Sequence, residues 1–245
     1  MTAKEADGDL QACPAAAGPL PVQWILRVLG VLAAVALLTV LSWLRLPEAS
    51  RGTAWAEDAA VFLREAILLG AVPSITEPYS GYLHVIPRVL AGLAFQLAPI
   101  DSYAYMMALL SCAVVSAIAV SVFFLSRSTI SQRPLRLMLA MIPVFLPVGP
   151  LEVLGNAANL HWYLLWLAPW LLLPKPAHWY SGALLFVAAL ATATSEIITV
   201  VFVPLAIWTI IWRRNYWAAS GLILGVGLQA LATFSRPPPT TRILS

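Results

Sequence analysis

Residues 48–88 read EASRGTAWAEDAAVFLREAILLGAVPSITEPYSGYLHVIPR. They form the longest polar interruption in a chain of 245 residues that is 61% hydrophobic and only 10% charged, with a mean hydropathy of +0.86. Soluble domains average about 25% charged residues. Long apolar runs with so few charges predict an all-α, polytopic transmembrane helix bundle, because a spanning helix satisfies its own backbone polar groups. A soluble core is excluded. Continuous rather than alternating apolar runs argue against a transmembrane β-barrel.

Around this stretch the sequence lays out about seven spans, each near the length needed to cross ~30 Å of hydrocarbon. They are expected at 24–46, 102–125, 135–150, 160–174, 179–194, 197–212 and 217–234. The domain reading is a disordered cytoplasmic tail (1–21), a transmembrane domain (22–235) and an outer C-terminal tail (236–245). The outer loop 47–101 carries interfacial helices. Pro143 and Pro147 should bend the third span, since each removes a backbone donor. Cys13 and Cys112 fall in different environments, so no disulfide is expected. Leu10-Gln11-Ala12-Cys13 resembles a lipoprotein cleavage box, but no apolar run precedes it, which argues against a signal peptide.

Charge orients the spans. With the N-terminus in the cytoplasm and every span crossing, Arg27, Arg127, Arg133, Arg136, Lys175, Arg213 and Arg214 fall on the inner side, and the inner loops contain no acid. Glu48, Glu57, Asp58, Glu65, Glu77, Asp101, Glu152 and Glu196 fall outside. That is the positive-inside pattern of a multi-pass protein of the cell membrane. It requires 55–98 to lie along the outer face without crossing, and it leaves Arg45, Arg51, Arg64 and Arg88 as outer exceptions. The net charge of +3 comes from loop arginines and gives no support for nucleic-acid binding.

Projected as a regular helix, Glu57 and Arg64 lie in register, Asp58 and Glu65 form a second row beside them, and Trp55, Phe62, Ala66 and Leu69 face the other way. This is the pattern of a helix lying in the interface. Glu57 and Asp58 then have two readings. They complement a helix dipole, or they form a catalytic or metal-binding carboxylate pair, each raising the other's proton affinity. His84 and Arg88 share a helical face and suit a lipid phosphate, which the planar fork of arginine matches; the alternative is ordinary headgroup contact. Pro87 is expected near a helix start, and Tyr79-Ser80-Gly81-Tyr82 as a turn. Arg64, Glu152, Asn159, His161 and Glu196 are the remaining candidates for an outer cavity. The spacing of His84, His161 and the acids is unlike that of zinc helices. There is no P-loop, no G-x-S-x-G elbow and no Cys-x-x-Cys.

An acidic pair in an amphipathic outer loop directly after the first span resembles the GT-C superfamily of membrane glycosyltransferases. Trp55-Ala56-Glu57-Asp58, residues 78–84 (PYSGYLH), Pro87-Arg88 and Asn159-Leu160-His161-Trp162 carry that resemblance. It implies transfer of a sugar from a polyprenyl-phosphate-linked donor to an acceptor on the outer face. It implies that Glu57 and Asp58 form the acidic motif, with one as base toward the acceptor or, in members that use one, as ligand to a divalent cation such as Mg or Mn. His84 and Arg88 as donor-phosphate ligands follow from chemistry rather than from a motif. GT-C enzymes usually have more spans, which makes a truncated, N-terminal or minimal relative the expectation. The competing expectation is a non-enzymatic multi-pass protein: a scaffold, an assembly partner, or a transporter or flippase subunit. The absence of ionisable residues near span centres weighs against the transporter.

Overall fold

The computed structural model describes residues 22–146 and 153–235. Among them every regular element is helical. The chain runs α1 (Val22–Arg45), α2 (Glu48–Arg51), a π-helical segment (Asp58–Leu63) continuing into α3 (Arg64–Leu69), α4 (Val85–Leu97), α5 (Tyr103–Leu125) and α6 (Arg133–Phe145). It continues as α7 (Leu160–Leu172), α8 (Trp179–Ala193), a 3-10 segment (Ile197–Phe202) leading into α9 (Val203–Arg213), and α10 (Tyr216–Phe234).

Three helical stretches are long and apolar enough to cross a membrane: Val22–Arg45, Ile100–Ser128 and Tyr216–Phe234. The other expected spans are shorter helices. α6 and α7 have 13 residues each and α8 has 15, so α6 and α7 reach ~20 Å at 1.5 Å per residue. Of the third expected span, 135–150, the described part is helical through Phe145 with Pro143 inside it; residues 147–150, Pro147 among them, lie outside the described residues.

α5 is apolar on all sides and forms the hub. Met107, Ala108, Cys112, Val115, Ala119 and Val122 are all buried along it, as expected of a helix surrounded by others. It packs against α1, α4, α6 and α7. α8 and α10 form the tightest pair, and small residues explain why. A Cβ at Gly225 would lie 2.6 Å from Ala193 Cβ, and one at Gly182 would lie 2.6 Å from the Trp217 ring. Gly221 and Gly225, four apart, let the backbones approach, as in membrane helix pairs generally. α1 is peripheral: of its 24 residues only Leu38 and Ser42 are buried.

The molecule has two ends. The Tyr103 hydroxyl, at the start of α5, donates to the Asp58 carbonyl at 2.8 Å, which places α5's first turn beside the polar loop. Its 23 residues carry the chain ~34 Å to Arg127 at the opposite end. α6 begins there with Arg133 and returns, and its last carbonyls, Val144 and Leu146, accept from the Arg45 guanidinium. At the basic end Asn215 Nδ2 donates to the carbonyls of Leu172 and Pro174, at 3.1 and 2.7 Å. It thereby satisfies acceptors left open where α7 stops.

Candidate functional site

The polar end is built from four segments: the π-helical turn, residues 79–88, the loop before α7, and the junction after α8. Asp58 ties the first to the third. Its carboxylate accepts from Ala157 N (Oδ2) and Ala158 N (Oδ1), each at 2.9 Å, and the residue is 1% exposed. Grouping Asp58 with Glu65 sets it on the wet face, although Phe62 and Ala66 follow it at four and eight positions, the spacing of a shared helical side. Asp58, Phe62 and Ala66 are instead buried together. The chain widens into a π turn at 58–63, a feature frequent at functional sites, and two backbone donors compensate the carboxylate for leaving water. Burial raises the Asp58 pKa to about 7, against the lowering effect of the Ala157 and Ala158 N–H groups and with a smaller push from Glu57. Glu57, next in sequence, stays half-buried, and its charge is felt at both Asp58 and Tyr82.

The loop it holds is tight. Gly155 sits at φ +83, where a Cβ would be strained and would meet Leu46 at 2.7 Å. Asn156 Oδ1 accepts from Asn159 N at 3.3 Å, and Asn159 precedes the first residue of α7. Glu152 lies outside the described residues.

Tyr79 and Tyr82 exchange both backbone hydrogen bonds, at 2.9 and 3.1 Å. Ser80 and Gly81 between them are at φ 52 and 91, the positive values of a hairpin-type turn in which glycine avoids strain. Residues 83–86 are then pinned from below. Gln229 of α10 gives its Oε1 to Leu83 N at 2.7 Å and its Nε2 to Leu83 O at 3.1 Å. Ser195 Oγ accepts from Ile86 N at 2.8 Å, and the Thr194 carbonyl accepts from Val85 N. The open donors at the start of α4 are thus taken by the α8 terminus. Pro87 lies in α4's first turn, as expected.

His84 does not share an exposed face with Arg88. It stands just before α4 with its ring 4.1 Å from Tyr82 and 5.6 Å from Phe62, centroid to centroid. Its Nδ1 lies 3.2 Å from the Tyr82 carbonyl, which assigns the proton to Nδ1 and leaves Nε2 as an acceptor. Burial pulls its pKa down to about 4, so the ring is neutral at pH 7. Arg88 is 1% exposed. Its Nη1 pairs with Glu65 and donates to Ser74 O, while the guanidinium covers the Phe62 ring at 5.0 Å. The expected phosphate ligand is instead an internal clamp between α3 and α4. The cation that faces outward is Arg64, exposed at the edge of a 350 Å³ groove that it shares with Ala60, Val61, Glu65, Leu68 and Tyr79.

His161 and Glu196 meet. His161 Nδ1 lies 2.7 Å from Glu196 Oε2, and Glu196 Oε1 accepts from Ile198 N at 2.6 Å, capping the 3-10 segment. The glutamate is 2% exposed and the histidine side chain 24% exposed. This is an imidazole oriented by a buried carboxylate, with Nε2 left to act on whatever enters. Tyr82, absent from the sequence candidates, joins them. Its phenol is pushed above its usual pKa by burial first, then by Glu196 and Glu57. Glu196 and His161 both act on His84 as well. Glu57, Tyr82, His84, His161 and Glu196 therefore form one electrostatic cluster.

A divalent cation at Glu57 and Asp58 does not fit these residues. Both Asp58 oxygens already serve backbone N–H groups. Among the described residues no three His, Cys, Asp or Glu side chains group to hold a metal. No protein-family model, curated protein or solved structure matches this chain.

Proposed function

We propose that this protein is a multi-pass membrane glycosyltransferase that moves a sugar from a polyprenyl-phosphate carrier to an acceptor hydroxyl at the extracytoplasmic face. The observation that carries the proposal is the His161–Glu196 pair at 2.7 Å, set among Glu57, Tyr82 and His84 at the acidic end. His161 Nε2 takes the acceptor proton as the acceptor oxygen attacks the anomeric carbon. The carrier phosphate leaves with the electron pair of the broken C–O bond. Glu196 holds the imidazole in the Nδ1–H tautomer and stabilises the imidazolium that forms. Glu57, the half-exposed member of the acidic pair, orients the acceptor. Asp58 is a positioning residue, fixing the loop that leads into α7. Arg64 supplies the positive charge for the departing phosphate, and Val61, Leu68 and Leu69 beside it give the prenyl chain an apolar bed. The orientation follows the positive-inside pattern: the N-terminus is cytoplasmic and the site faces out.

One observation favours the non-enzymatic alternative: both Asp58 oxygens, and Arg88 Nη1 with Glu65, are engaged in internal contacts, although Arg88 Nε and Nη2 are buried without a partner. The test is transfer of radiolabelled sugar from a polyprenyl-phosphate donor by reconstituted protein. His161→Asn should cut the rate by roughly 10²–10⁴, and Glu57→Gln should raise KM for the acceptor. Undetectable transfer by the wild type with every polyprenyl-phosphate sugar offered, or full activity of His161→Asn, would favour the scaffold.

A further inference from the structure

The end opposite this cluster carries charge that nothing neutralises. Arg127, Arg133 and Arg136, with Ile130 and Ser131, line a cavity of 400 Å³ where α5 hands over to α6. Among the described residues none of the three arginines has an ion-pair partner; the only salt bridges are Arg88–Glu65 and His161–Glu196. Two of the arginines stand in the first turn of α6, where no acidic residue sits. That is the positive end of the helix dipole, a place where cations are unfavourable and anions favoured. Arg136 rests its guanidinium 4.9 Å from the centroid of the Phe123 ring, with a buried Nε that finds no acceptor.

Directly alongside lies an apolar cleft of 570 Å³ between α1, α5 and α6, lined by Gly30, Ala34, Leu37, Ala119, Phe124 and Leu137 among others, with Arg27 at its mouth. It runs from Arg27 to Leu38, ~16 Å along α1, about half of a ~30 Å hydrocarbon core and so one leaflet deep. Gly30 leaves the cleft open: a Cβ there meets nothing within 4 Å.

We propose that this pair of cavities binds one anionic phospholipid of the leaflet at the basic end. The phosphate sits among Arg127, Arg133 and Arg136 and one acyl chain lies in the α1/α5/α6 cleft. Charge selects the occupant: four arginines and a helix N-terminus, with no ion-pair partner among the described residues, reject a zwitterionic headgroup in favour of one with net negative charge. The polar and apolar halves abut through neighbouring residues, Phe123 and Phe124 on α5 and Arg136 and Leu137 on α6, so a single amphiphile fills both. This site is independent of the transferase reading.

The experiment exchanges the full chain into detergent containing equal phosphatidylglycerol and phosphatidylcholine and counts retained lipid by native mass spectrometry. Phosphatidylglycerol should be retained at least about tenfold over phosphatidylcholine, and Arg133→Gln or Arg136→Gln should each cut that preference about fivefold, the effect of one basic residue near an anionic surface. Arg133 is exposed and makes no hydrogen bond or ion pair through its side chain among the described residues, so its substitution leaves folding alone. Gly30→Phe, which fills the cleft, should lower retention of both lipids, while inorganic phosphate in excess should fail to displace the bound lipid. Equal retention of the two lipids overturns the proposal. So does indifference to the arginine substitutions. Complete displacement by inorganic phosphate with no effect of Gly30→Phe would reduce the site to a phosphate pocket and overturn the lipid assignment.

Discussion

The two ends of the molecule handle charge in opposite ways. At the acidic end the key charged groups are partnered from within: Asp58 by two backbone N–H groups, Arg88 by Glu65 and Ser74, Glu196 by His161 and Ile198. At the basic end Arg127, Arg133 and Arg136 are exposed or half-exposed around an open cavity. Buried charge must be compensated at the moment of folding, and exposed charge can wait for something that arrives later. The acidic end is therefore a preorganised polar cluster whose geometry is fixed by the fold, and the basic end is a surface completed by its surroundings.

The comparison breaks most visibly at His161. If the acidic end is preorganised for chemistry, His161→Asn removes turnover by orders of magnitude, yet thermal stability should stay within about 1 kcal/mol, as for a partly exposed side chain. Equal losses of both would make the pair structural. Next comes Gln229. Gln229→Leu is nearly isosteric and leaves Leu83 N and O unpartnered in a buried place, a cost of about 1–3 kcal/mol read as a lower unfolding temperature in detergent. Asp58→Asn should cost a similar ~1–3 kcal/mol, because an amide presents an N–H to one of the two N–H donors.

The pH response sharpens the same contrast. Asp58 has its folded pKa raised from 3.8 to about 7, so folding favours the protonated acid. Its contribution is complete below pH 3.8 and is lost as pH rises through 7. His84 has its pKa lowered from 6.5 to about 4, so its contribution is present above pH 6.5 and is lost as pH falls toward 4. The two windows overlap between about pH 4 and 6.5 with opposite slopes, so the two contributions largely cancel and the wild-type melting temperature should change little there. Asp58→Asn should unmask a melting temperature that rises with pH between about 4 and 6.5, and His84→Gln one that falls with pH between 3.8 and about 7. Substitutions at Arg127 or Arg133 should leave the profile unchanged.

Much of the architecture was legible in the chain. Hydropathy located the helices and the polar loop, and charge separated the two ends, because both are properties of residue type along a line. Helix length was less so: α6 is described from Arg133 to Phe145, with Pro143 inside it, and α7 runs only from Leu160 to Leu172. The site was half visible. His161 and Glu196 were both candidates, but their pairing depends on the turn after α8, 35 positions away. Asp58 was misplaced because it was grouped with Glu65, although Phe62 and Ala66, four and eight positions on, share its side of even a regular helix. Arg88 was misread because its partner Glu65 lies 23 positions back. Tyr82 was read only as part of a turn and of the segment 78–84, and Gln229 was passed over entirely. Gln229 did carry a signal, as a lone amide in an otherwise apolar helix, where a polar side chain is costly unless it has a partner.

That glutamine also sets a clock. Leu83 and Gln229 are 146 positions apart, and a ribosome adds about 5–20 residues per second. The segment that carries Tyr82 and His84 thus emerges roughly 7 to 30 s before the side chain that fixes it exists. For that interval Leu83 has no Gln229 amide to pair with, and until the chain reaches Thr194 and Ser195 the N–H groups of Val85 and Ile86 lack their acceptors as well. The cluster at the acidic end is thus a late product of synthesis, closed when the helix bearing Gln229 is laid down beside α8.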